Sequence, residues 1–149
     1  ALDRVARTMS ATGPPVRVAI ALGSNLGDRQ AHIDFAIGQL HRCLTNVQVS
    51  SIHETAPEGV EEAQPDYLNA VITGDTHLGP HELLHTLLAL ERERGRTRQT
   101  FRASRTLDLD LIFYGAETID TPELTVPHPR YRERAFVTEP LAEVWKVRN

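Results

Sequence analysis

Two acidic side chains on a short apolar run are the clearest chemistry in this sequence. In Leu107-Asp108-Leu109-Asp110-Leu111 the leucines alternate with the acids, the period of a half-buried strand. Asp108 and Asp110 then project from one face, ~6.5–7 Å apart along the chain. Two carboxylates on a mid-strand face are costly to hold without a cation beside them. Hard oxygen ligands suit Mg²⁺, which takes one or two carboxylates together with substrate phosphate oxygens. A solvent-facing strand side is the plainer alternative. Arg92, Arg94, Arg96, Arg98, Arg102 and Arg105 come just before this run, with Glu93 as the only acid among them. Arginine makes bidentate contacts to phosphate, so the cluster reads as a phosphate clamp. It also reads as a solvated basic loop with charges at a helix end. Phosphates account for both clusters at once. No G-x-x-x-x-G-K-[ST] is present, so a nucleotide here is not held by a P-loop.

Three other patterns are weaker. Tyr67 and Asn69 share one strand face. A ring beside an amide suits a flat heterocycle that is stacked and hydrogen-bonded, and equally an ordinary cross-strand pair. Gly23-Ser24-Asn25-Leu26-Gly27 resembles a phosphate-cradling turn but reads as structural. His81-Glu82-Leu83-Leu84-His85 matches H-E-x-x-H, which on a helix places two histidines on one face for zinc. No third ligand follows downstream, so surface histidines are the simpler reading.

A sheet must position these residues. Val16, Val18, Ile20 and Leu22 alternate as a first strand, ended by the Gly-rich turn, with Asp28 as a helix N-cap. Ile33, Ala36, Ile37, Leu40 and Leu44 follow helical spacing. Val47, Val49 and Ser51 give a second strand to about residue 54, and Leu68, Ala70 and Ile72 a third. Gly79-Pro80 opens a second helix with Leu83, Leu84, Leu87, Leu88 and Leu90 on its apolar face, closed by Gly95. The acidic run is the fourth strand. This order is the α+β, ferredoxin-like (split βαβ) pattern: an antiparallel sheet with helices packed on one face. Residues 116–149 add the Pro127-His128-Pro129 turn and a short closing segment. Residues 55–65 and 95–104 form polar loops expected to be the most mobile.

Composition narrows the classes further. The 149 residues are 40% hydrophobic and 24% charged, which predicts one globular domain. We expect it over residues 16–149, with 1–15 as a small, polar, disordered tail. Cys43 is the only cysteine, so no internal disulfide forms and a reducing compartment is expected. No apolar run approaches the ~18 residues of a membrane span, and no signal peptide is evident. A formal net charge of −4 weakens a nucleic-acid or membrane reading.

Taken together, the motifs resemble a known family. Ala19-Ile20-Ala21-Leu22-Gly23-Ser24-Asn25-Leu26-Gly27-Asp28, Gln64-Pro65-Asp66-Tyr67-Leu68-Asn69-Ala70 and Arg105-Thr106-Leu107-Asp108-Leu109-Asp110-Leu111 occur in that order. Leu124-Thr125-Val126-Pro127-His128 and Arg134-Ala135-Phe136 follow. The set resembles the 6-hydroxymethyl-7,8-dihydropterin pyrophosphokinases of folate biosynthesis, over residues 16–145. The resemblance implies a ferredoxin-like fold and transfer of pyrophosphate from ATP to the pterin's hydroxymethyl oxygen, leaving AMP. It implies two Mg²⁺ ions on Asp108 and Asp110, with Arg98, Arg102 and Arg105 beside them in the catalytic group. It places the pterin between Tyr67 and Phe136, its edge read by Asn69 and by backbone near Thr55 and Glu58. Glu91 falls on the ATP ribose, and Arg98, Arg105, Leu111, His128, Pro129 and Arg134 in the ATP site. The two rings are then expected about 7 Å apart, twice the ~3.5 Å contact of stacked carbons.

The chain departs from the family pattern at Phe101-Arg102-Ala103-Ser104-Arg105, where members often carry Arg-Trp-Gly-Pro-Arg, and at Pro129, where many have Tyr. It also stops at Asn149, before a further segment that some members carry. The partners implied are small molecules, ATP and the pterin. A cytoplasmic monomer without nucleic-acid or membrane partners is expected. The rivals are a base-stacking nucleic-acid module of the same topology, which needs an aromatic-rich strand, and a zinc hydrolase on His81 and His85.

Overall fold

The computed structural model describes residues 14–56, 66–95 and 106–145. Glu58, Arg98, Phe101, Arg102 and Arg105 lie outside the described residues, as do residues 1–13 and most of the two polar loops.

The alternating run at the start of the domain becomes β1 (Val16–Ser24), the centre of the main sheet. It pairs antiparallel with β4 (Tyr67–Thr76) on one side and β5 (Asp108–Tyr114) on the other. The expected second strand is two pieces, β2 (Thr45–Val49) and β3 (His53–Thr55), both paired with β4. Between them Ser50 keeps a single rung: its N–H donates to Val71 O at 2.9 Å, and its hydroxyl accepts from Val71 N at 2.9 Å. The sheet order β2-β4-β1-β5 is that of the expected split βαβ unit.

The two predicted helices form where their end signals place them. In α1 (Arg29–Leu40) the Asp28 carboxylate accepts from Ala31 N at 3.0 Å. In α2 (Pro80–Glu93) Gly79 is the N-cap, and Glu82 accepts from Gly79 N at 3.1 Å. Both pack on one face of the sheet. Ile33 and Leu40 of α1 and Leu83, Leu87 and Leu90 of α2 meet Val18, Ile20, Leu22, Leu109 and Leu111 there. Each such side chain contributes about 1.5–3 kcal/mol on leaving water.

The closing segment is more than a short tail. After the β6–β7 hairpin (Ile119–Asp120, Thr125–Val126), a cis Val126–Pro127 peptide and a 3₁₀ turn at Tyr131–Glu133, the chain forms α3 (Ala135–Val144). This helix packs on the opposite face, where Val137, Leu141 and Val144 cover Ala19, Val71 and Ile112. The sheet therefore carries two helices on the expected face and a third on the other. A bulge in β5 serves that second core. Ile20 pairs with Leu111 but Ala19 with Phe113, so Ile112 is the extra residue and turns toward α3.

Candidate active site

The register builds a cradle at the far end of β1. Gly23 pairs with Asn69 on β4 and with Asp108 on β5. On the next rung that faces the same way, Ala21 pairs with Val71 and Asp110. Cross-strand partners share a face, so Asn69, Asp108 and Asp110 all stand on the α3 side. Strand spacing sets Asn69 and Asp108 ~10 Å apart, with Gly23 as the floor between them. A Cβ on Gly23 would touch Asn69 Oδ1 and Tyr67 Cδ1, each at 3.6 Å. A side chain there would fill the cradle without forcing its walls apart.

The β5 wall carries the acids. Asp108 and Asp110 are half-buried while Leu109 and Leu111 point into the main core. Their strand is braced from beneath: Glu91 of α2, 1% exposed, accepts from Leu109 N at 2.7 Å. The resemblance set Glu91 on the ATP ribose; here its carboxylate holds the backbone between the two aspartates. Leu111, assigned to the ATP site, has its side chain in the core at 4% exposure. Only its backbone is left to meet a nucleotide.

His128 lies within electrostatic reach of both Asp108 and Arg134. His128 N donates to Ile112 O at 3.1 Å, which seats the Pro127-His128-Pro129 turn against β5. Burial, then the charge of Arg134, lowers the His128 pKa, while Asp108 pulls it up. The neutral form of the ring is thereby favoured. Its Nδ1 accepts from Arg130 N at 3.4 Å, so in the neutral ring Nε2 carries the proton as a donor. Arg134 is the N-cap of α3, its guanidinium 5.7 Å from the centre of the Phe136 ring. Tyr131 packs edge-on to Phe113 at 5.0 Å and ties this corner to the sheet. Pro129 is exposed beside it.

The β4 wall is apolar and amide-lined. Asn69, 5% exposed, donates through Nδ2 to Thr55 Oγ1 at 2.7 Å and to His53 O at 3.3 Å. Those bonds turn Oδ1 toward Gly23. Tyr67 is half-buried on the same face, and Phe136 lies in the first turn of the helix that packs over that face. Arg29 ties the strand ends together, donating to Glu54 Oε2 at 2.8 Å and to Asp66 O at 2.7 Å.

The other sequence signals have structural uses. His81 pairs with Thr121 at 3.2 Å and His85 with Glu123 at 2.5 Å, so both pin α2 to the β6–β7 hairpin. Among the described residues no group of three or more His, Cys, Asp or Glu is placed to hold a metal. Arg94 is committed to α1: its Nε donates to His32 Nδ1 at 2.9 Å, and its guanidinium lies 4.5 Å from the Phe35 ring centre. No helix among the described residues is long and apolar enough to cross a membrane. Sequence reasoning missed His53, Ser51 and Glu143, which join β3 to α3. No local pattern links residues so far apart in the chain.

Comparison with known proteins agrees with the geometry. The family model for 7,8-dihydro-6-hydroxymethylpterin-pyrophosphokinase (HPPK) matches residues 19–146. A 2-amino-4-hydroxy-6-hydroxymethyldihydropteridine pyrophosphokinase of Bacillus subtilis is 46% identical over 127 residues, covering 84% of this chain and 75% of that protein. The same-named protein of Pseudomonas aeruginosa is 41% identical, covering 86% of this chain and 80% of its own. A mitochondrial folate synthesis bifunctional protein of Arabidopsis thaliana is 44% identical over 85% of this chain, which spans only 23% of that longer protein. In fold, the chain resembles a crystal structure of HPPK-DHPS in complex with substrates: TM-score 0.65, 13% identity, 88% of this chain and 40% of that one. From the cradle, the acidic strand and these matches together, the chain belongs to the 7,8-dihydro-6-hydroxymethylpterin-pyrophosphokinase family.

Proposed function

We propose that this protein transfers the terminal pyrophosphoryl group of ATP to the hydroxymethyl oxygen of 6-hydroxymethyl-7,8-dihydropterin, releasing AMP. The observation that carries this reading is the rung Asn69–Gly23–Asp108. It sets an amide suited to a heterocycle edge on one side of a glycine floor and the paired acids on the other, with His128 within electrostatic reach of Asp108. Asp108 and Asp110 offer an all-oxygen donor pair on one strand face and would hold Mg²⁺, as the resemblance implies for two ions. When bound, Mg²⁺ neutralises triphosphate charge and lowers the pKa of an oxygen it holds.

In the reaction the pterin hydroxymethyl oxygen bonds to the β-phosphorus. The bond from that phosphorus to the oxygen shared with the α-phosphate breaks, AMP leaves, and the hydroxyl proton passes to solvent water. Phosphoryl chemistry asks little covalent work of the protein, so its own side chains act by position and charge. His128, whose ring feels the charges of both Asp108 and Arg134, offers Nε2–H, and the Arg134 guanidinium a cation, both of which suit phosphate oxygens. On this reading Arg98, Arg102 and Arg105 add to that clamp, and Glu91 keeps the acids in register. Leu111 backbone and Pro129 border the nucleotide. Tyr67, Phe136, Asn69, Thr55 and Glu58 receive the pterin. The same reading takes residues 16–149 as one domain working as a cytoplasmic monomer.

Incubation with ATP, Mg²⁺ and the pterin tests it. AMP should appear in step with pterin consumption. ADP accumulating in its place would mean that one phosphoryl group moves, and would overturn the assignment.

A further inference from the structure

Glu143 lies in the last turn of α3, at the other end of that helix from Arg134 and Phe136. Its carboxylate takes three hydrogen bonds from one short segment: from Ser51 N at 2.8 Å, Ser51 Oγ at 2.9 Å and His53 Nε2 at 2.7 Å. That segment is the break between β2 and β3, where the pairing with β4 falls to the single rung at Ser50. Glu143 supplies the acceptor that the Ser51 N–H does not find within the sheet. The Ser51 N–H, then the His53 imidazole and the Ser51 hydroxyl, hold the Glu143 carboxyl down at about 2. The clamp is therefore charged throughout the neutral range.

The clamped strand is the one on which Asn69 rests. His53 O and Thr55 Oγ1 both accept from Asn69 Nδ2, at 3.3 and 2.7 Å. One carboxylate thus joins α3, which carries Phe136, to β3, which orients Asn69. We propose that Glu143 is a positioning residue for pterin recognition: clamping Ser51 and His53 to α3 sets the spacing between Phe136 and the Thr55–Asn69 pair. This rests on the pterin pocket described under the proposed function. Glu139, one turn earlier, is a natural control, because it is 65% exposed and its carboxylate is 3.9 Å from His53 Nδ1.

The test is equilibrium binding of the pterin and, separately, of ATP with Mg²⁺, together with the KM of each. Glu143→Ala should weaken pterin binding and raise its KM by about tenfold with ATP affinity unchanged, the loss expected of charge-assisted bonds. Glu143→Gln keeps an acceptor for Ser51 N–H and should stay within about threefold of the parent. Glu139→Gln should match the parent. Normal pterin binding by Glu143→Ala, or equal loss of pterin and ATP affinity, would overturn the proposal. Should Glu143→Ala not fold, His53→Phe decides in the same way, since it keeps a ring and removes the bond to Glu143. Asn69→Ala and Phe136→Ala separate the two readings. If they too bind pterin normally, the pocket itself is wrong; if they weaken while Glu143→Ala does not, only the clamp is wrong.

Discussion

Asp108 and Asp110 stand along one face of β5, and the His128 ring lies within electrostatic reach of both Asp108 and Arg134. Replacing either acid with Ala removes a carboxylate from a repulsive pair, so the fold should survive it. Turnover should fall about a hundredfold or more, the several kcal/mol that a lost metal contact costs. Near-parental turnover at ordinary Mg²⁺ would count against two-metal chemistry. The histidines give a pH dependence. His128 is lowered chiefly by burial and then by Arg134, and His32 chiefly by burial and then by Arg94. Both therefore bind a proton less readily folded than unfolded. Stability from this source is complete above the ordinary value of 6.5 and is lost as pH falls below it. The urea midpoint should drop between about pH 7.5 and pH 5.5, and His128→Gln should shrink that drop. An unchanged drop in the variant would show that His128 is not a source.

At the scale of elements, the brace beneath β5 and the helix above the sheet make separate claims. Glu91→Ala leaves Leu109 N–H buried without its acceptor, a cost of about 1–3 kcal/mol. It should lower both the denaturation midpoint and activity; an unmoved midpoint would mean that the amide finds another partner. Above the sheet, Phe136 in the first turn of α3 is the expected lid of the pterin slot. Stacking on a flat heterocycle is worth ~1–3 kcal/mol per face, so Phe136→Ala should weaken pterin binding about ten- to a hundredfold. ATP binding should change little. A variant that binds pterin normally would remove Phe136 from the slot.

Across the whole molecule, what the sequence made legible follows from the range of each interaction. Alternation and end signals act over a few residues, so β1, α1, α2 and β5 could be placed from Val16-to-Leu22 spacing, Asp28, Gly79-Pro80 and the Leu-Asp run. The break at residues 50–52 was hidden because Val47, Val49 and Ser51 keep the strand period through it. Helix α3 was hidden by Pro140, although Val137, Leu141 and Val144 keep helical spacing around it. In the site, the acidic pair is local and was readable. Glu91 on Leu109 N, Leu111 in the core and Glu143 on Ser51 depend on long-range packing, which no short window contains. On the proposed reaction, a two-phosphorus unit moves from ATP to the pterin. The direct measurement is a single turnover with ATP radiolabelled at the β-phosphorus. The label should leave the nucleotide and appear on the pterin product; label remaining in a nucleoside diphosphate would contradict the account.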